Sequence, residues 1–332
     1  MHPQHLKTQN QPDQLKKNDK PVRIERLAGD ASVRIFSRLF FGDGSTAVEM
    51  ITPKTHEPDY EKYIRTQAFL NAHSVPVPAV LETDAASLKI ILEDLGGAGY
   101  YSLHPSLSEE ERMEYYRKFT DAVIGIASLA TEFKRDYTGT KEILGFERLS
   151  WELDFFLDNY LTLYPEKRPA EDDLKTLKDY FISLAREVAS FPTVLCHRDF
   201  HSKNIMVSGG GFKIIDFQDL RLGPYNYDLA SLLWDSYVTP SDDIILTMEK
   251  RFFGALPNLG IKISFDEFHR QNRITALQRN IKAIGTFANQ ALKDKTGYIQ
   301  FIAPTTSKIF DSINYIKIDD TIAGILNRLF RK

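Results

Sequence analysis

The sequence predicts an α+β protein with a small β-rich lobe followed by a larger, mostly helical lobe. Short apolar segments typical of strands dominate the region before Gly96 and Gly97. Long segments with apolar residues at helical spacing dominate the region after this pair. A narrow group of short strands interrupts those helices near the middle of the chain. The pattern predicts a flexible polar tail at 1–20, a small lobe at 21–97 and a helical lobe at 98–332.

Composition limits the class of protein. The chain has 332 residues, of which 42% are apolar, and a formal net charge of -3. This length is sufficient for two lobes with their own cores, and the mixed charges offer no basic field for nucleic acid. The single cysteine, Cys196, is predicted to be a small buried strand residue. No apolar run suits a signal peptide or a membrane span, so we expect a cytoplasmic protein without nucleic-acid or membrane partners, and its oligomeric state is left open.

The small lobe is predicted to begin with a β-hairpin. Apolar segments at 33–41 and 47–52 flank a glycine-rich turn at 42–45. Helical spacing follows at 60–72, and a buried strand is predicted at 88–92.

The helical lobe carries two N-terminal capping patterns. Ser108 and Glu111 precede one amphipathic segment, and Ser264 and Glu267 precede a segment that runs to about Lys293. Another amphipathic helix is predicted at 172–190.

Short strands are predicted in the middle of this lobe at 193–196, 205–207 and 212–215, with a glycine turn joining the last two.

The chemistry concentrates around these strands, in the run His197-Arg-Asp-Phe-His-Ser-Lys-Asn204 and in Asp216-Phe217. Phosphoryl transfer from ATP needs a carboxylate beside the acceptor hydroxyl and oxygen ligands for magnesium. Asp199 suits the first role, whereas Asn204 and Asp216 suit the second. The predicted hairpin would return Asp216 to Asn204. The alternative interpretation is that both aspartates are ordinary loop carboxylates at strand ends.

These motifs, with Asp219 and the segment 227–230, resemble the aminoglycoside phosphotransferase (APH) family of kinase-like enzymes over about 26–310. A more specific resemblance is to the N-acetylmuramate/N-acetylglucosamine anomeric kinases of cell-wall recycling. It is carried by Gly29-Asp-Ala-Ser-Val-Arg34 and by the segments 215–233, 268–270 and 278–287. The resemblance implies a protein-kinase-like two-lobed fold and ATP-dependent phosphorylation of an anomeric hydroxyl to a sugar 1-phosphate.

The same resemblance implies the roles of further residues. Asp199 would be the catalytic base, and Asn204 and Asp216 would hold Mg²⁺. The nucleotide-binding small lobe would place a loop at 27–36 over the phosphates of ATP, and the backbone at 92–95 would meet adenine. The cofactor-binding residues expected in these two segments are Gly29, Asp30, Ser32, Arg34, Glu93 and Leu95.

One departure concerns the strand lysine that usually contacts the α- and β-phosphates. Met50 takes that place in this sequence, which leaves Arg34, Lys54 and Lys203 as alternative phosphate-binding cations.

A protein kinase is disfavoured because Asp216-Phe-Gln is followed almost at once by a helix predicted from Leu229, which leaves no room for an activation segment. We expect Asp228 to cap that helix and brace the catalytic loop, with substrate binding as the alternative.

The acceptor site is expected in the helical lobe. A sugar needs polar groups and an aromatic face. Asp235, Tyr237 and Lys282 are among the residues of this lobe that could provide them. The predicted substrate residues are Arg148, Glu152, Asp219, Trp234 and Arg279. For the aromatic residues a position in the core is the alternative. For Arg279 and Lys282 the alternative is a solvated helix face.

Three functions therefore compete. The first is an anomeric amino-sugar kinase. The second is another small-molecule kinase of the same family, acting on an aminoglycoside, an amino alcohol or a different sugar. The third is a nucleotide-binding pseudokinase regulator, which the missing strand lysine suggests and the intact Asp199, Asn204 and Asp216 oppose.

Overall fold

The computed structural model describes residues 20–27, 33–97, 99–136 and 143–330. Their contacts divide the chain into two units. The N-terminal unit holds the described residues up to Asn71 together with Val77–Gly96, and the C-terminal unit holds Ala72–Pro76 and the described residues from Gly97 onward. The predicted α+β organisation, with a small β-rich part and a larger helical part, is confirmed. Within the described ranges, no helix has both the length and the apolar character needed to cross a membrane.

The N-terminal unit is built on one antiparallel sheet with the strand order β1-β2-β3-β5-β4. The sheet and one helix have the following bounds: β1 Arg23–Arg26, β2 Ile35–Phe40, β3 Thr46–Ile51, α1 Glu57–Ala72, β4 Val80–Asp84 and β5 Lys89–Glu93. The predicted hairpin is confirmed as β2 and β3, which pair from Ile35 with Ile51 to Phe40 with Thr46. Gly44 adopts the left-handed backbone (φ +86°) that this turn requires. The strands β1 and β4 were not predicted.

An ion pair ties the middle of this sheet to the segment that follows β5. The Arg38 guanidinium donates to both carboxylate oxygens of Asp94, at 2.7 and 3.1 Å, and to the Gly96 carbonyl at 2.8 Å. Burial opposes ionisation of Asp94, but the hydrogen bonds from Arg38 and from the Gly96 N–H hold its pKa below the usual value. The segment after β5 is therefore held firmly within its own unit.

The C-terminal unit contains ten helices within its described residues. They are α2 Tyr100–Leu103, α3 Glu109–Ser128, α4 Ala130–Asp136, α5 Phe146–Leu163, α6 Glu171–Ala189, α7 Tyr227–Leu233, α8 Asp242–Ala255, α9 Phe265–Leu292, α10 Ile302–Ile316 and α11 Asp320–Phe330. The capping box of Ser108 and Glu111 at α3 is confirmed. Ser264 caps α9 by accepting the Glu267 N–H at 3.2 Å.

Two short strand pairs interrupt these helices. Their strands are β6 Thr193–Cys196, β7 Ile205–Ser208, β8 Gly211–Ile214 and β9 Arg221–Pro224. The predicted hairpin is confirmed as β7 and β8, and Gly209 and Gly210 both adopt positive φ in its turn. The strand β6 pairs with β9, which the sequence did not predict. Cys196 is 1% exposed on β6, as predicted.

Helices α5 and α9 pack so closely that a glycine is required between them. A Cβ atom at Gly285 of α9 would lie 2.6 Å from the Cα atom of Phe156 of α5. Real Cβ atoms do not approach a backbone so closely, so this contact determines how α9 lies against α5.

Candidate active site

A buried carboxylate shapes the start of the loop between β6 and β7. Asp228, on α7 and 2% exposed, accepts the backbone N–H groups of His197 at 2.5 Å and of Arg198 at 2.8 Å. These bonds support the left-handed backbone of Arg198 (φ +80°). The expectation that Asp228 braces this loop is confirmed. The expectation that it caps the helix is wrong, because α7 begins at Tyr227 and its N-cap residue is Asn226.

A second buried carboxylate holds the middle of the loop. Asp235, 1% exposed, accepts the N–H groups of Ser202 at 2.7 Å and of Tyr237 at 2.8 Å. The Lys308 ammonium in turn donates to the carbonyl oxygens of Asp235 and, at 2.7 Å, of Val238. Burial lowers the pKa of Lys308 to about 8. The segment 235–238 is therefore anchored from both sides.

The structure joins Asn204 to the segment that carries Asp216. The Ile215 N–H donates to the Asn204 carbonyl at 2.9 Å, and Asp216 follows with a left-handed backbone (φ +62°). The Asn204 side-chain amide donates to the Asp199 carbonyl at 3.0 Å. One main-chain bond and one bond from the Asn204 side chain thus bring Asp199, Asn204 and the start of the Asp216 segment together, as the hairpin argument predicts.

The oxygen atoms of this arrangement suit Mg²⁺. Because the Asn204 NH₂ group donates to a carbonyl, its Oδ1 atom is the end available to a cation. The Asp216 side chain is exposed, and its Oδ1 atom accepts a hydrogen bond from the Gln218 amide at 2.8 Å. Mg²⁺ prefers such hard oxygen ligands and usually takes only one or two carboxylates besides phosphates.

Asp199 forms an ion pair across the unit with α9. Its Oδ1 atom lies 2.9 Å from the Nζ atom of Lys282, and its side chain is 31% exposed. Burial opposes ionisation, but Lys282 and then Arg198 hold the pKa of Asp199 well below its usual value. The carboxylate is therefore ionised at neutral pH, as a proton acceptor must be.

Asp199 opens into a small pocket that lies wholly within the C-terminal unit. Its lining combines two aspartates, a histidine and two cations with an aromatic end, and consists of Asp199, His201, Asp235, Ser236, Tyr237, Arg279, Lys282, Ala283, Thr286 and Phe287. Burial lowers the pKa of His201 more than the nearby Asp235 and Asp199 raise it, which favours the neutral imidazole. The pocket offers the polar groups and the aromatic face that a sugar requires.

Of the five predicted substrate residues, Arg279 lines this pocket, and so do Asp235, Tyr237 and Lys282, which the sequence also offered for the acceptor site. The alternative of a solvated helix face is wrong for Arg279 and Lys282, because Arg279 is 5% exposed and Lys282 pairs with Asp199. His201, Thr286 and Phe287 were not predicted. His201 could have been recognised from its position, two residues after Asp199 in the motif.

The other predicted acceptor residues lie elsewhere in the C-terminal unit. Glu152 is 1% exposed and lies 3.3 Å from Arg148 and 3.7 Å from Arg198, so it supports the catalytic loop from within the core. Trp234 is 3% exposed beneath the Arg273 guanidinium, as the core alternative holds. Asp219 is half-buried and lies outside the pocket lining. The structure therefore does not bring Glu152 or Trp234 into the pocket lining.

The predicted cofactor residues belong to the N-terminal unit. Gly29, Asp30 and Ser32 lie outside the described residues. Arg34 lies with its guanidinium 5.8 Å from the Tyr63 ring centre. The N–H group of Glu93 donates to the Ala79 carbonyl at 2.9 Å, so that group is unavailable to adenine, and Leu95 is 8% exposed.

The three alternative phosphate-binding cations have different surroundings. Met50 is fully buried in the sheet, as expected for an apolar replacement, and Lys54 is exposed after β3. The Lys203 ammonium lies 4.6 to 5.6 Å from four aromatic ring centres, those of Tyr101, Tyr237, Tyr298 and Phe301. Cation–π contacts thus hold Lys203 within the C-terminal unit.

Comparison with known families shows to which family the chain belongs. Residues 23–260 match the APH model, described as the phosphotransferase enzyme family. The chain belongs to this family. As an APH-family member it is an enzyme that transfers phosphate to a hydroxyl acceptor.

Two bacterial APH-family relatives carry the name N-acetylmuramate/N-acetylglucosamine kinase. The protein from Pseudomonas aeruginosa is 29% identical over 277 residues, which cover 82% of this chain and 78% of the relative. The protein from Neisseria meningitidis serogroup B is 27% identical over 269 residues, which cover 80% of this chain and 78% of the relative.

Solved structures show the same fold. An ADP-bound aminoglycoside phosphotransferase, APH(2'')-Ib, aligns with a TM-score of 0.56 at 16% identity, covering 86% of this chain and 95% of its own. A choline/ethanolamine kinase family protein from Mesorhizobium loti aligns with a TM-score of 0.54 at 14% identity, covering 93% of each chain. The predicted kinase-like fold is confirmed.

Proposed function

We propose that the protein uses ATP and Mg²⁺ to phosphorylate the anomeric hydroxyl of N-acetylmuramate or N-acetylglucosamine, giving the sugar 1-phosphate. The observation that carries the proposal is the ionised Asp199 at the edge of a polar pocket with an aromatic end. The names of the curated relatives support an amino sugar as the acceptor. The proposed setting is the recycling of cell-wall sugars in the cytoplasm.

The proposed chemistry assigns one role to each group. Asp199 accepts the proton of the acceptor hydroxyl and orients its oxygen for in-line attack. Asn204 and Asp216 would hold Mg²⁺, which neutralises charge on the phosphates when bound. ATP would be bound through the loop at 27–36, with Gly29, Asp30, Ser32 and Arg34, and through the backbone around Glu93 and Leu95.

An aminoglycoside, one of the alternative acceptors, is less compatible with the pocket. An aminoglycoside is a polycation and needs a strongly acidic site, whereas this lining has as many cations as carboxylates. A purely regulatory role is disfavoured by the ionised Asp199 and by the hydrogen bond that the Asn204 side chain donates to the Asp199 carbonyl.

The test is an assay of the purified protein with Mg-ATP and each of the two sugars, with phosphorus NMR of the product. An anomeric phosphate signal that disappears when Mg²⁺ is chelated is the expected result. A phosphate on a different hydroxyl would overturn the assigned position, and the absence of product from both sugars would overturn the acceptor.

A further inference from the structure

Arg279 is a buried cation whose surroundings do not satisfy it. Arg279 is 5% exposed and lines the acceptor pocket. Its Nε–H group has no hydrogen-bond acceptor among the described residues, and the Tyr227 ring centre lies 5.4 Å from its guanidinium carbon. Burying a guanidinium donor without an acceptor is costly, so a site that retains one is suited to an anion.

Lys282 lies on the same face of α9, three residues further along the helix. Its ammonium group has three donors, of which one contacts Asp199 Oδ1 at 2.9 Å. The remaining donors and the Arg279 guanidinium therefore belong to one wall of the pocket.

The lining carries two carboxylates, Asp199 and Asp235, and two cations, Arg279 and Lys282, but the close contacts of these groups are unequal. The carboxylate of Asp199 pairs with Lys282, and that of Asp235 accepts the N–H groups of Ser202 and Tyr237. His201 favours the neutral form. This leaves Arg279 as the lining cation without a matching carboxylate contact among the described residues.

The position of the pocket indicates which substrate carries the anion. Asp199 contributes to the lining, whereas Asn204 and Asp216, the proposed ligands of Mg²⁺, lie outside it. The phosphates of ATP bind beside the ligands of Mg²⁺. The face of α9 with Arg279 and Lys282 is therefore expected to contact the acceptor.

We infer that Arg279 and Lys282 form an anion subsite for a carboxylate on the sugar acceptor, so that the enzyme prefers an acidic amino sugar to its neutral counterpart. The inference rests on the proposed function. Because hydrogen bonds to a charged group are stronger than neutral ones, we expect the acidic sugar to be preferred by about 10- to 100-fold in kcat/KM.

N-acetylmuramate and N-acetylglucosamine provide the test, since the first differs from the second by a lactic acid ether that carries the carboxylate. The quantity to measure is the ratio of kcat/KM for the two sugars in wild type, Arg279→Gln and Arg279→Lys. A ratio within one protein sample is independent of the fraction that is folded. Arg270→Gln is the matched control, because Arg270 is an exposed arginine of α9 that pairs with Glu187.

We expect Arg279→Gln to remove most of the preference, Arg279→Lys to retain part of it, and Arg270→Gln to leave it unchanged. Equal use of both sugars by wild type, or the same ratio in wild type and Arg279→Gln, would overturn the inference while the proposed function stands. If neither sugar is phosphorylated, the proposed function itself fails. A rise in the KM for ATP with both sugars, at an unchanged ratio, would assign the subsite to a phosphate and so overturn the carboxylate.

Discussion

The loop at 197–204 carries Asp199, and the pocket face of α9 contacts it through Lys282, but the two regions are built differently. In the loop, buried carboxylates of Asp228 and Asp235 bind backbone N–H groups, so the main chain itself is held. On α9, by contrast, Arg279 and Lys282 contribute side chains to the pocket lining, and Lys282 pairs with the Asp199 carboxylate. If the proposed roles hold, changes in the loop should alter phosphoryl transfer through the main chain, whereas changes on α9 should alter the choice of acceptor through its side chains.

The largest effect is expected where the two regions meet, in the variant Asp199→Asn. The amide cannot accept the hydroxyl proton, so kcat should fall by about 10²–10⁴-fold while the KM for ATP changes little. Steady-state kinetics with Mg-ATP check this, with Asp154→Asn, an exposed aspartate of α5, as the control. A kcat close to that of wild type would show that Asp199 is not the base.

A smaller effect on turnover, together with a loss of stability, is expected for the loop in Asp228→Ala. The change leaves the buried N–H groups of His197 and Arg198 unpaired, at a cost of about 1–3 kcal/mol per group in the free energy of unfolding. The free energy of unfolding measured in urea and kcat should both fall, and Asp228→Asn should recover part of both. Wild-type stability and turnover in Asp228→Ala would contradict the bracing role.

The smallest effect is expected for α9 in Lys282→Met, and it is a shift in pH dependence. Lys282 is the strongest influence that lowers the pKa of Asp199. Without it that pKa rises, Asp199 takes up its proton at higher pH, and the acid side of the kcat/KM profile moves upward. Profiles measured between about pH 4 and pH 8 show this. Lys293→Met, at the exposed C-terminal end of α9, should keep the wild-type profile, and an unmoved profile in Lys282→Met would contradict the electrostatic role.

The sequence predicted the parts of the fold whose signals are local. The hairpin of β7 and β8 was recognisable from its glycine turn, and α3 and α9 from Ser108 and Ser264. The strand β1 was missed because all of its residues are exposed, so Arg23–Arg26 shows no apolar alternation. The strand β9 was missed because it contains Gly223 and Pro224, which usually interrupt strands.

In the candidate site, too, the features with local sequence signals were predictable and those that depend on distant contacts were not. Asp199, Asn204 and Asp216 lie within one short stretch, where their spacing and the hairpin between them predict a common location. The pairing of Asp199 with Lys282 could not be predicted, because it joins residues far apart in sequence through the packing of α9. The burial of Trp234 and Glu152 outside the pocket lining could not be predicted either, since composition does not distinguish a core aromatic residue from one in a pocket.

Gly285 links helix packing to the pocket, because the same helix carries Arg279, Lys282 and Phe287. The close approach of α9 to Phe156 exists only because one hydrogen atom stands where other residues carry a methyl group. A larger side chain at this position would push α9 away from Phe156 and displace Arg279, Lys282 and Phe287 with the helix. An engineer who wished the enzyme to accept bulkier sugars could therefore begin at this hidden contact and leave every residue that touches the acceptor as it is.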